Sequence, residues 1–486
     1  MKRIISSILA GLFLIAAPMV QARNLSADEA RDAAMHYLQH NTFLERTTAN
    51  DLVLAHQWTN PTSGEPSMYL FNHTGNGFII MAATTAMDPI VAYSDNRQLD
   101  VERMGESLSW WLDKYNTMVC EVQDYDAAQR SSLVCSEWEA LEHHALKGNT
   151  KDTRIILMEE EWDQGNNAGT TYNMYSPVVN DTTCPTGCVA TALAQICHYY
   201  GYPLKAKGTV TASASDGTTL KIRKMQDSAA FNYAIMENHI NYSTPIESRR
   251  EMSRLAYYIG VTVGMSYAPQ GSGAVSYTAI GNMNTNFKYQ KGSMTYRSTV
   301  ADSVYLQRLR NELMMNRPCY MGGSSKSGGV HAAGHAWVCC GYRTDNMKMY
   351  YMNWGWDGTG NAFYNLGNNN MPIPGMGYNF TEYQEIVTGL IPPQDSTSRD
   401  IYAAIPRAEG QVVLGHPYPN PATTSVMLPY SCNHSTVLAV YSIDGRQVAT
   451  QTLQAGNDEV RLDVSAMPAG IYIYRAGDTY GKFVVR

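Results

Sequence analysis

A cysteine at the start of an apolar helical pattern is the feature that most narrows the fold of this 486-residue chain. Apolar residues recur at helical spacing from Val189 to Tyr200, and Gly201 predicts the helix end. Cys188 opens the pattern, with Thr186 as a candidate N-cap and Gly187 allowing close approach of another backbone. A thiol at a helix N-terminus lies near unpaired N–H groups, so we expect a lowered pKa and a reactive thiolate.

Two downstream segments favour a catalytic cysteine over a buried structural one. His335 heads an apolar strand pattern 147 residues after Cys188, and Asn353 follows 18 residues later. Nucleophile, base and orienting amide occur in this order and at about this spacing in thiol proteases of the papain type. In this interpretation His335 exchanges the thiol proton with the leaving amine, Asn353 holds the imidazole, and Trp354 shields that hydrogen bond from water.

Gln164 is a candidate for stabilising the negative charge that develops on a substrate carbonyl. It precedes Cys188 by about two dozen residues. A glutamine side-chain N–H and the backbone N–H of the nucleophile can together form an oxyanion hole. Spacing alone does not separate this role from that of an ordinary surface residue.

Composition limits the class of protein further. Apolar residues make up 44% and charged residues 16%, so the chain can bury a sizeable core and does not have the composition of a disordered protein. Lys and Arg total 36 against 43 Asp and Glu, and this balance gives no support to nucleic-acid binding. The nine cysteines are an odd number, which leaves at least one thiol unpaired.

The N-terminus predicts export. Lys2 and Arg3 precede an apolar run over residues 4–17 that is too short to cross a bilayer, and we expect a signal peptide over residues 1–22. A buried N-terminal helix is the alternative. No other stretch reaches about 18 uninterrupted apolar residues, so no transmembrane segment is expected.

Four dispersed motifs resemble the streptopain family of cysteine peptidases. They are Trp162-Asp-Gln, Thr186-Gly-Cys-Val-Ala-Thr-Ala-Leu-Ala-Gln-Ile, Gly334-His-Ala-Trp-Val and Asn353-Trp-Gly-Trp-Asp-Gly. The resemblance covers residues 150–392. It implies an α+β, papain-like fold with a helical and an antiparallel β subdomain, endopeptidase activity, and no metal or organic cofactor. It also assigns roles to five residues: Cys188 as nucleophile, His335 as base, Gln164 as oxyanion donor, and Asn353 and Trp354 as the support of His335.

The resemblance also implies how substrate binds. Family members favour a bulky apolar residue at P2, the second position before the cleaved bond. Gly-rich loops at 270–274 and 322–329 are expected to edge the groove, where their backbone can pair with an extended peptide. The candidate substrate-binding residues are Gly187, Gly271, Ser272, Gly273, Gly334 and Trp356.

Both flanks resemble regulatory segments. Residues 23–149 resemble an α+β propeptide, an intramolecular inhibitor that is expected to be cut between about Ala145 and Arg154; a permanent separate domain is the alternative. Residues 393–410 are predicted as a linker. Residues 411–486 have the pattern of an all-β sandwich and resemble the C-terminal sorting domain of type IX secretion substrates, with a binding module as the alternative. This implies the type IX machinery as a partner, and a protein that is secreted or attached to the outer-membrane surface.

Some cysteine positions depart from the family pattern, and one histidine raises the question of a zinc site. Ser176 stands where relatives often carry a cysteine, which leaves Cys184 without that partner, and the adjacent Cys339 and Cys340 are expected to pack in the core. His331 lies four residues before His335, but the glutamate of a zinc-protease HExxH motif is missing.

Two other functions remain open from the sequence. Amines attack the same thioester as water, so an acyl transferase or deamidase can use the same triad. The second is a catalytically idle surface-binding protein, which is disfavoured because the chain retains Cys188, His335, Asn353 and Gln164.

Overall fold

The computed structural model describes residues 22–126, 130, 135–142, 154–167, 170–206, 211–215, 220–224, 230–327, 330–367, 384–393, 412–415, 417–432, 435–443, 446–477 and 479–486. The predicted signal peptide, most of the predicted cleavage segment, most of the linker and the side chain of His331 lie outside the described residues.

The N-terminal unit is a four-stranded antiparallel sheet with helices packed on it. Its helices are α1 (Ala27–Asn41), α2 (Glu106–Gln123) and α3 (Ser136–Glu142), and its strands are β1 (Leu52–Thr59), β2 (Pro66–His73), β3 (Phe78–Ala82) and β4 (Ile90–Ser94). Ser26 begins α1 with a capping box, in which Glu29 Oε2 accepts the Ser26 N–H at 2.8 Å. The predicted α+β character of this unit is confirmed.

The central unit holds four helices and fourteen strands among the described residues. The helices are α4 (Cys188–Tyr200), α5 (Ile246–Val263), α6 (Ser276–Phe287) and α7 (Asp302–Met314). The strands are β5 (Arg154–Ile156), β6 (Asn166–Asn167), β7 (Thr170–Thr171), β8 (Val178–Val179), β9 (Thr182–Thr183), β10 (Thr211–Ser215), β11 (Leu220–Lys224), β12 (Ser266–Tyr267), β13 (Ser293–Tyr296), β14 (Cys319–Ser327), β15 (Val330–Arg343), β16 (Met349–Asn353), β17 (Ala362–Asn365) and β18 (Glu385–Thr388).

One sheet joins the N-terminal and central units. Its strand order is β1-β2-β3-β4-β17-β16-β15-β14-β18-β13, and the junction is the antiparallel pair β4–β17. Tyr93 of β4 lies opposite Phe363 of β17, and their rings stack with centroids 5.4 Å apart. The two units therefore share backbone hydrogen bonds and a core, rather than only a surface contact.

The segment 322–329 corrects one expectation. Its glycines predict a loop, but residues 322–327 belong to β14, which pairs in register with β15. Gly323 lies opposite His335, and Gly322 lies opposite Ala336. Glycine is usually depleted in strands. Here the two glycines leave space on opposite faces of the sheet, and side chains from other elements occupy that space.

The C-terminal unit is a β-sandwich, as predicted. Its strands are β19 (Val413–Leu414), β20 (Ser425–Cys432), β21 (Thr436–Ser442), β22 (Gln447–Leu453), β23 (Gly456–Asp463), β24 (Gly470–Ala476) and β25 (Thr479–Val485). They form a three-stranded sheet, β19-β20-β23, and a four-stranded sheet, β22-β21-β24-β25. Alternate residues of the two sheets form one buried cluster that includes Val426, Leu428, Val440 and Phe483.

Two further findings concern the whole chain. None of the nine cysteines, all of which lie within the described residues, is in a disulfide bond, and the adjacent Cys339 and Cys340 are buried, as predicted for core packing. Among the helices of the described ranges, none combines the length and apolar character needed to cross a membrane.

Candidate active site

Cys188 is the first residue of α4, and its surroundings explain why a glycine precedes it. Gly187 is the N-cap, with φ of 88°, and a Cβ there would lie 2.6 Å from the carbonyl oxygen of Ser272. The close approach that Gly187 allows is therefore made by the loop that carries Ser272. Thr186 was the predicted N-cap, and this is wrong: its hydroxyl contacts the Gln164 carbonyl oxygen at 3.2 Å and the Thr191 hydroxyl at 3.0 Å instead.

A groove of about 820 Å³ brings most of the predicted residues together. The predicted residues that line it are Gln164, Cys188, Gly271, Ser272, Gly273, Gly334, His335 and Trp356. Asn353 and Trp354 are almost fully buried, at 1% exposure each. The nucleophile, the base and the oxyanion donor proposed from the sequence thus border a single open space, with the two supporting residues in the protein interior.

Gln164 is tied to the residues that lead into the nucleophile helix. Its backbone N–H donates to Asp163 Oδ1 at 2.7 Å, and its carbonyl oxygen accepts the Thr186 N–H at 2.7 Å. Because both its N–H and its carbonyl oxygen are hydrogen-bonded, the backbone of Gln164 is restricted on both sides of the residue. This arrangement fixes the Gln164 backbone next to Thr186, two residues before Cys188, and Gln164 and Cys188 line the same groove.

A Gln164→Ala enzyme, once matured, is expected to lose kcat by about 10²–10³-fold with a smaller change in KM. The reason is that an oxyanion donor stabilises charge that develops only in the transition state. Steady-state hydrolysis of a fluorogenic peptide measures this. Gln164→Glu is the informative companion, since it keeps the size but replaces the donor with an acceptor. An unchanged kcat in the alanine variant would show that Gln164 is an ordinary surface residue and not an oxyanion donor.

His335 and its neighbour Ala336 face opposite sides of β15. Side chains alternate along a strand, and Ala336 belongs to the core that packs against α4. The ring of His335 lies on the other face, 6.5 Å from the ring of Trp110 on α2. Trp110 occupies the space above Gly323, where a Cβ would lie 2.4 Å from its ring. The N-terminal unit therefore packs directly beside the candidate base.

Both reactive groups are held in their neutral forms. Burial raises the pKa of Cys188, although the backbone N–H groups of Ala336 and Val189 act in the opposite direction. Burial likewise lowers the pKa of His335, with the charge of Glu106 opposing it. The expectation of a lowered thiol pKa is therefore wrong for this form of the protein, because desolvation outweighs the helix N-terminus. A thiolate–imidazolium pair requires both shifts to reverse.

The side chain of Asn353 is hydrogen-bonded to groups other than His335. Its Oδ1 accepts the Gly355 N–H at 3.1 Å, and its Nδ2 donates to Gln195 Oε1 at 2.9 Å. Gln195 Oε1 also accepts the backbone N–H of Trp162 at 3.2 Å. Gln195 is fully buried on α4 and connects three motifs, a role that the sequence reasoning missed. A glutamine seven residues after Cys188 in a mostly apolar helix was the available signal.

Helix α2 covers the tryptophans of the Asn-Trp-Gly-Trp motif. The ring of Trp354 lies 5.1 Å from that of Trp337 and 6.3 Å from that of Trp111 on α2. Trp356 packs on the N-cap of α2, since a Cβ at Gly105 would lie 2.2 Å from its ring. This side of the groove is therefore closed by the N-terminal unit.

Glu106 is a second residue that the sequence reasoning missed. It is the first residue of α2, lines the groove, and its charge acts on both Cys188 and His335. No local pattern marks it, because its role depends on where α2 docks.

A Glu106→Gln precursor is expected to react faster with iodoacetamide at Cys188, by up to about tenfold. The carboxylate contributes to the raised pKa of Cys188, so its loss increases the thiolate fraction, and one pKa unit changes that fraction tenfold. Intact-mass measurement of alkylation over time gives the rate. The exposed Glu102, just before α2, provides the control Glu102→Gln. Equal rates in both variants would contradict the electrostatic effect.

Three segments of the chain match known families. Residues 162–364 match the peptidase C10 family, residues 22–119 match the Spi protease inhibitor family, and residues 416–486 match the secretion system C-terminal sorting domain.

Curated relatives and a solved structure are similar to most of the chain. The thiol protease/hemagglutinin PrtT of Porphyromonas gingivalis is 28% identical over 412 residues; the match covers 81% of this chain but 44% of that protein, so the chain spans less than half its length. Streptopain of Streptococcus pyogenes is 26% identical over 415 residues, which cover 80% of this chain and 98% of that protein. A prointerpain A fragment of Prevotella intermedia has the same fold, with a TM-score of 0.54 at 22% identity, and covers 70% of this chain and 99% of that one.

The fold and the groove define a papain-like cysteine peptidase. The matched segments make the chain similar to the streptopain-like cysteine peptidases of the C10 family, with an N-terminal unit similar to a protease inhibitor and a C-terminal unit similar to a secretion sorting domain. The sorting domain makes it a secreted or surface-attached protein.

Proposed function

We propose that this protein is a secreted endopeptidase, made as a zymogen, that hydrolyses peptide bonds through a thioester on Cys188 and favours bulky apolar P2 residues. The observation that carries the proposal is the single groove bordered by Cys188, His335 and Gln164. These are the three chemical groups that acyl transfer needs: a nucleophile, a base and an oxyanion donor.

Each residue has a defined step in this mechanism. The Cys188 sulfur attacks the substrate carbonyl carbon while His335 takes the thiol proton. The oxyanion accepts hydrogen bonds from the Gln164 side chain and the Cys188 backbone N–H. The carbon–nitrogen bond then breaks, and His335 protonates the leaving amine. Water, deprotonated by His335, hydrolyses the thioester and regenerates the thiol.

The N-terminal unit supports latency in this proposal. Trp110 packs beside His335, and Trp111 packs against Trp354. Its removal, by a cut between about Ala145 and Arg154, would expose this side of the groove. We expect His335 then to approach Cys188 and to accept Asn353 as its orienting partner.

The termini fit an export route. We propose that residues 1–22 direct the chain across the inner membrane as a signal peptide. The sorting domain then directs it through the type IX machinery, after which it is removed.

The test is labelling with an epoxide that alkylates active-site thiols. The matured protein is expected to gain one label on Cys188, whereas the uncut precursor gains much less. Mass spectrometry of casein digests should show hydrolysed peptides, and joined or deamidated peptides would indicate acyl transfer instead. A matured protein that takes no label and cleaves no casein would overturn the proposal.

A further inference from the structure

A buried carboxylate lies at the end of the groove away from the N-terminal unit. Glu385, the first residue of β18, lines the groove and is 9% exposed. Strand β18 pairs with β14, and β14 pairs with β15, so Glu385, Gly322 and Ala336 lie side by side across three strands. The carboxylate is thus two strands away from the residue that follows the candidate base.

The missing side chain of Gly322 opens the space between Ala336 and Glu385. A Cβ on Gly322 would lie 2.5 Å from Glu385 Oε1, so any larger residue would displace the carboxylate. Ala336 belongs to the face of the sheet that packs against α4, and its neighbour in register, Gly322, shares that face. Glu385 therefore lies on the Cys188 side of the sheet, opposite the face that Trp110 covers.

The other walls of this pocket come from the N-terminus of α6 and from β13. Ser276 bonds to the Tyr320 hydroxyl at 2.8 Å and also hydrogen-bonds the Glu385 side chain. The charges of Glu385 and Cys188 both act on Tyr320. Tyr296 of β13 is directly opposite Glu385 in register.

Glu385 differs in its partners from two other poorly exposed carboxylates of the central unit, Asp302 and Glu312. Asp302 pairs with Arg297, and Glu312 pairs with Arg317. Within the ranges that the structure describes, Glu385 forms no ion pair, and its side-chain partner is the Ser276 hydroxyl. A buried carboxylate without a cation is costly to ionise, and a cationic ligand group would offset that cost.

We propose that Glu385 forms the floor of the P2 pocket and extends its specificity from bulky apolar residues to lysine and arginine. The proposal rests on the peptidase function proposed above. Val275 and Ala336 line the groove and would contact the aliphatic stem of a long basic side chain. The rings of Tyr277 and Tyr296 also line it, and a guanidinium can stack on such rings. Protonated Glu385 leaves a pocket that accepts an apolar residue.

The pH dependence of the two preferences should differ. Burial raises the pKa of Glu385, so the carboxyl is protonated at acid pH and ionised as the pH rises. Cleavage after a basic P2 residue should therefore gain relative to an apolar P2 residue as pH increases. The charge of Glu385 acts on Tyr296, Tyr305 and Tyr320, and the other titratable groups that line the groove include Cys188, His335, Glu106 and Asp163. The three tyrosines stay neutral in this range because burial raises their pKa values, and Cys188 acts equally on both substrates.

The experiment compares two fluorogenic peptides that differ only in arginine or isoleucine at P2. For matured wild-type enzyme and for Glu385→Gln, the concentration of active sites is measured by titration with the epoxide. The value of kcat/KM then refers only to folded, active molecules. The ratio of arginine to isoleucine cleavage is expected to fall about ten- to hundredfold in Glu385→Gln, as for the loss of a charged hydrogen bond. The rise of this ratio with pH should also disappear. Glu247→Gln, at an exposed position on α5, should leave both unchanged.

The outcomes separate the two proposals. An enzyme that cleaves the isoleucine peptide but keeps the wild-type ratio in Glu385→Gln would overturn the role of Glu385 and leave the peptidase function intact. A wild-type enzyme that cleaves the isoleucine peptide but does not cleave the arginine peptide at any pH would also overturn the role of Glu385 and leave the peptidase function intact. A matured wild-type protein that cleaves neither peptide and takes no epoxide label would overturn both.

Discussion

A Cys188→Ala chain is expected to lose peptidase activity by about 10⁴-fold or more and to accumulate as the uncut precursor. Removing a nucleophile eliminates the covalent route, and comparable deletions in other hydrolases cost as much or more. The same sulfur is expected to carry out the cut between Ala145 and Arg154. Both losses should therefore appear together, in casein hydrolysis and in the mass of the purified chain.

The control for this prediction lies on the same helix. Cys197 is fully buried on α4 and away from the groove lining, so Cys197→Ala should mature and cleave casein at close to the wild-type rate. If Cys188→Ala matured at the wild-type rate without added protease, another enzyme would perform the cut. If it also kept casein hydrolysis, Cys188 would not be the nucleophile.

The candidate site could be predicted from sequence where local pattern determines it. The apolar periodicity after Cys188 predicted α4, and Gly201 ends it in the left-handed conformation. The capping box at Ser26 and the spacing of His335 and Asn353 were equally readable. These features depend on residues close in sequence or on the order of motifs along the chain. Neither requires knowledge of how the elements pack.

The contacts between units could not be predicted in the same way. Trp110 and Glu106 reach the groove because α2 docks beside β15, and nothing in their own segment encodes that position. The Gly322–Gly323 pair illustrates the limit. Two glycines predict a loop, whereas in the sheet one leaves space for Trp110 and the other for Glu385. Glycine marks a close approach, but the sequence does not show what approaches.

The protonation of the site also depends on long-range packing. The position of Cys188 at a helix N-terminus predicted a lowered pKa, but burial raises it, and burial lowers the pKa of His335. Desolvation disfavours the charged form of each group, so the thiolate–imidazolium pair is disfavoured twice. Removing the N-terminal unit would admit water on the side that Trp110 now closes. In the function proposed above, latency is then an electrostatic property as well as a steric one.

Trp111→Ala is expected to destabilise the precursor by about 3–5 kcal/mol, the usual cost of truncating a buried tryptophan. Trp111 is 0% exposed, and its ring lies 5.0 Å from Tyr364 and 6.3 Å from Trp354 across the junction of the units. Since 4 kcal/mol is about a thousandfold in an equilibrium constant, the N-terminal unit should open far more often and the chain should mature much earlier.

Urea unfolding of the precursor measures the stability change, and it is best done with Cys188→Ala also present so that no cut occurs. Trp58, only partly buried on β1, provides the control Trp58→Ala, which should cost less. After maturation residue 111 is gone, so mature enzyme from either chain should have the same stability and the same kcat. A Trp111→Ala precursor with an unchanged midpoint and an unchanged maturation time would show that this contact does not hold the inhibitory unit in place.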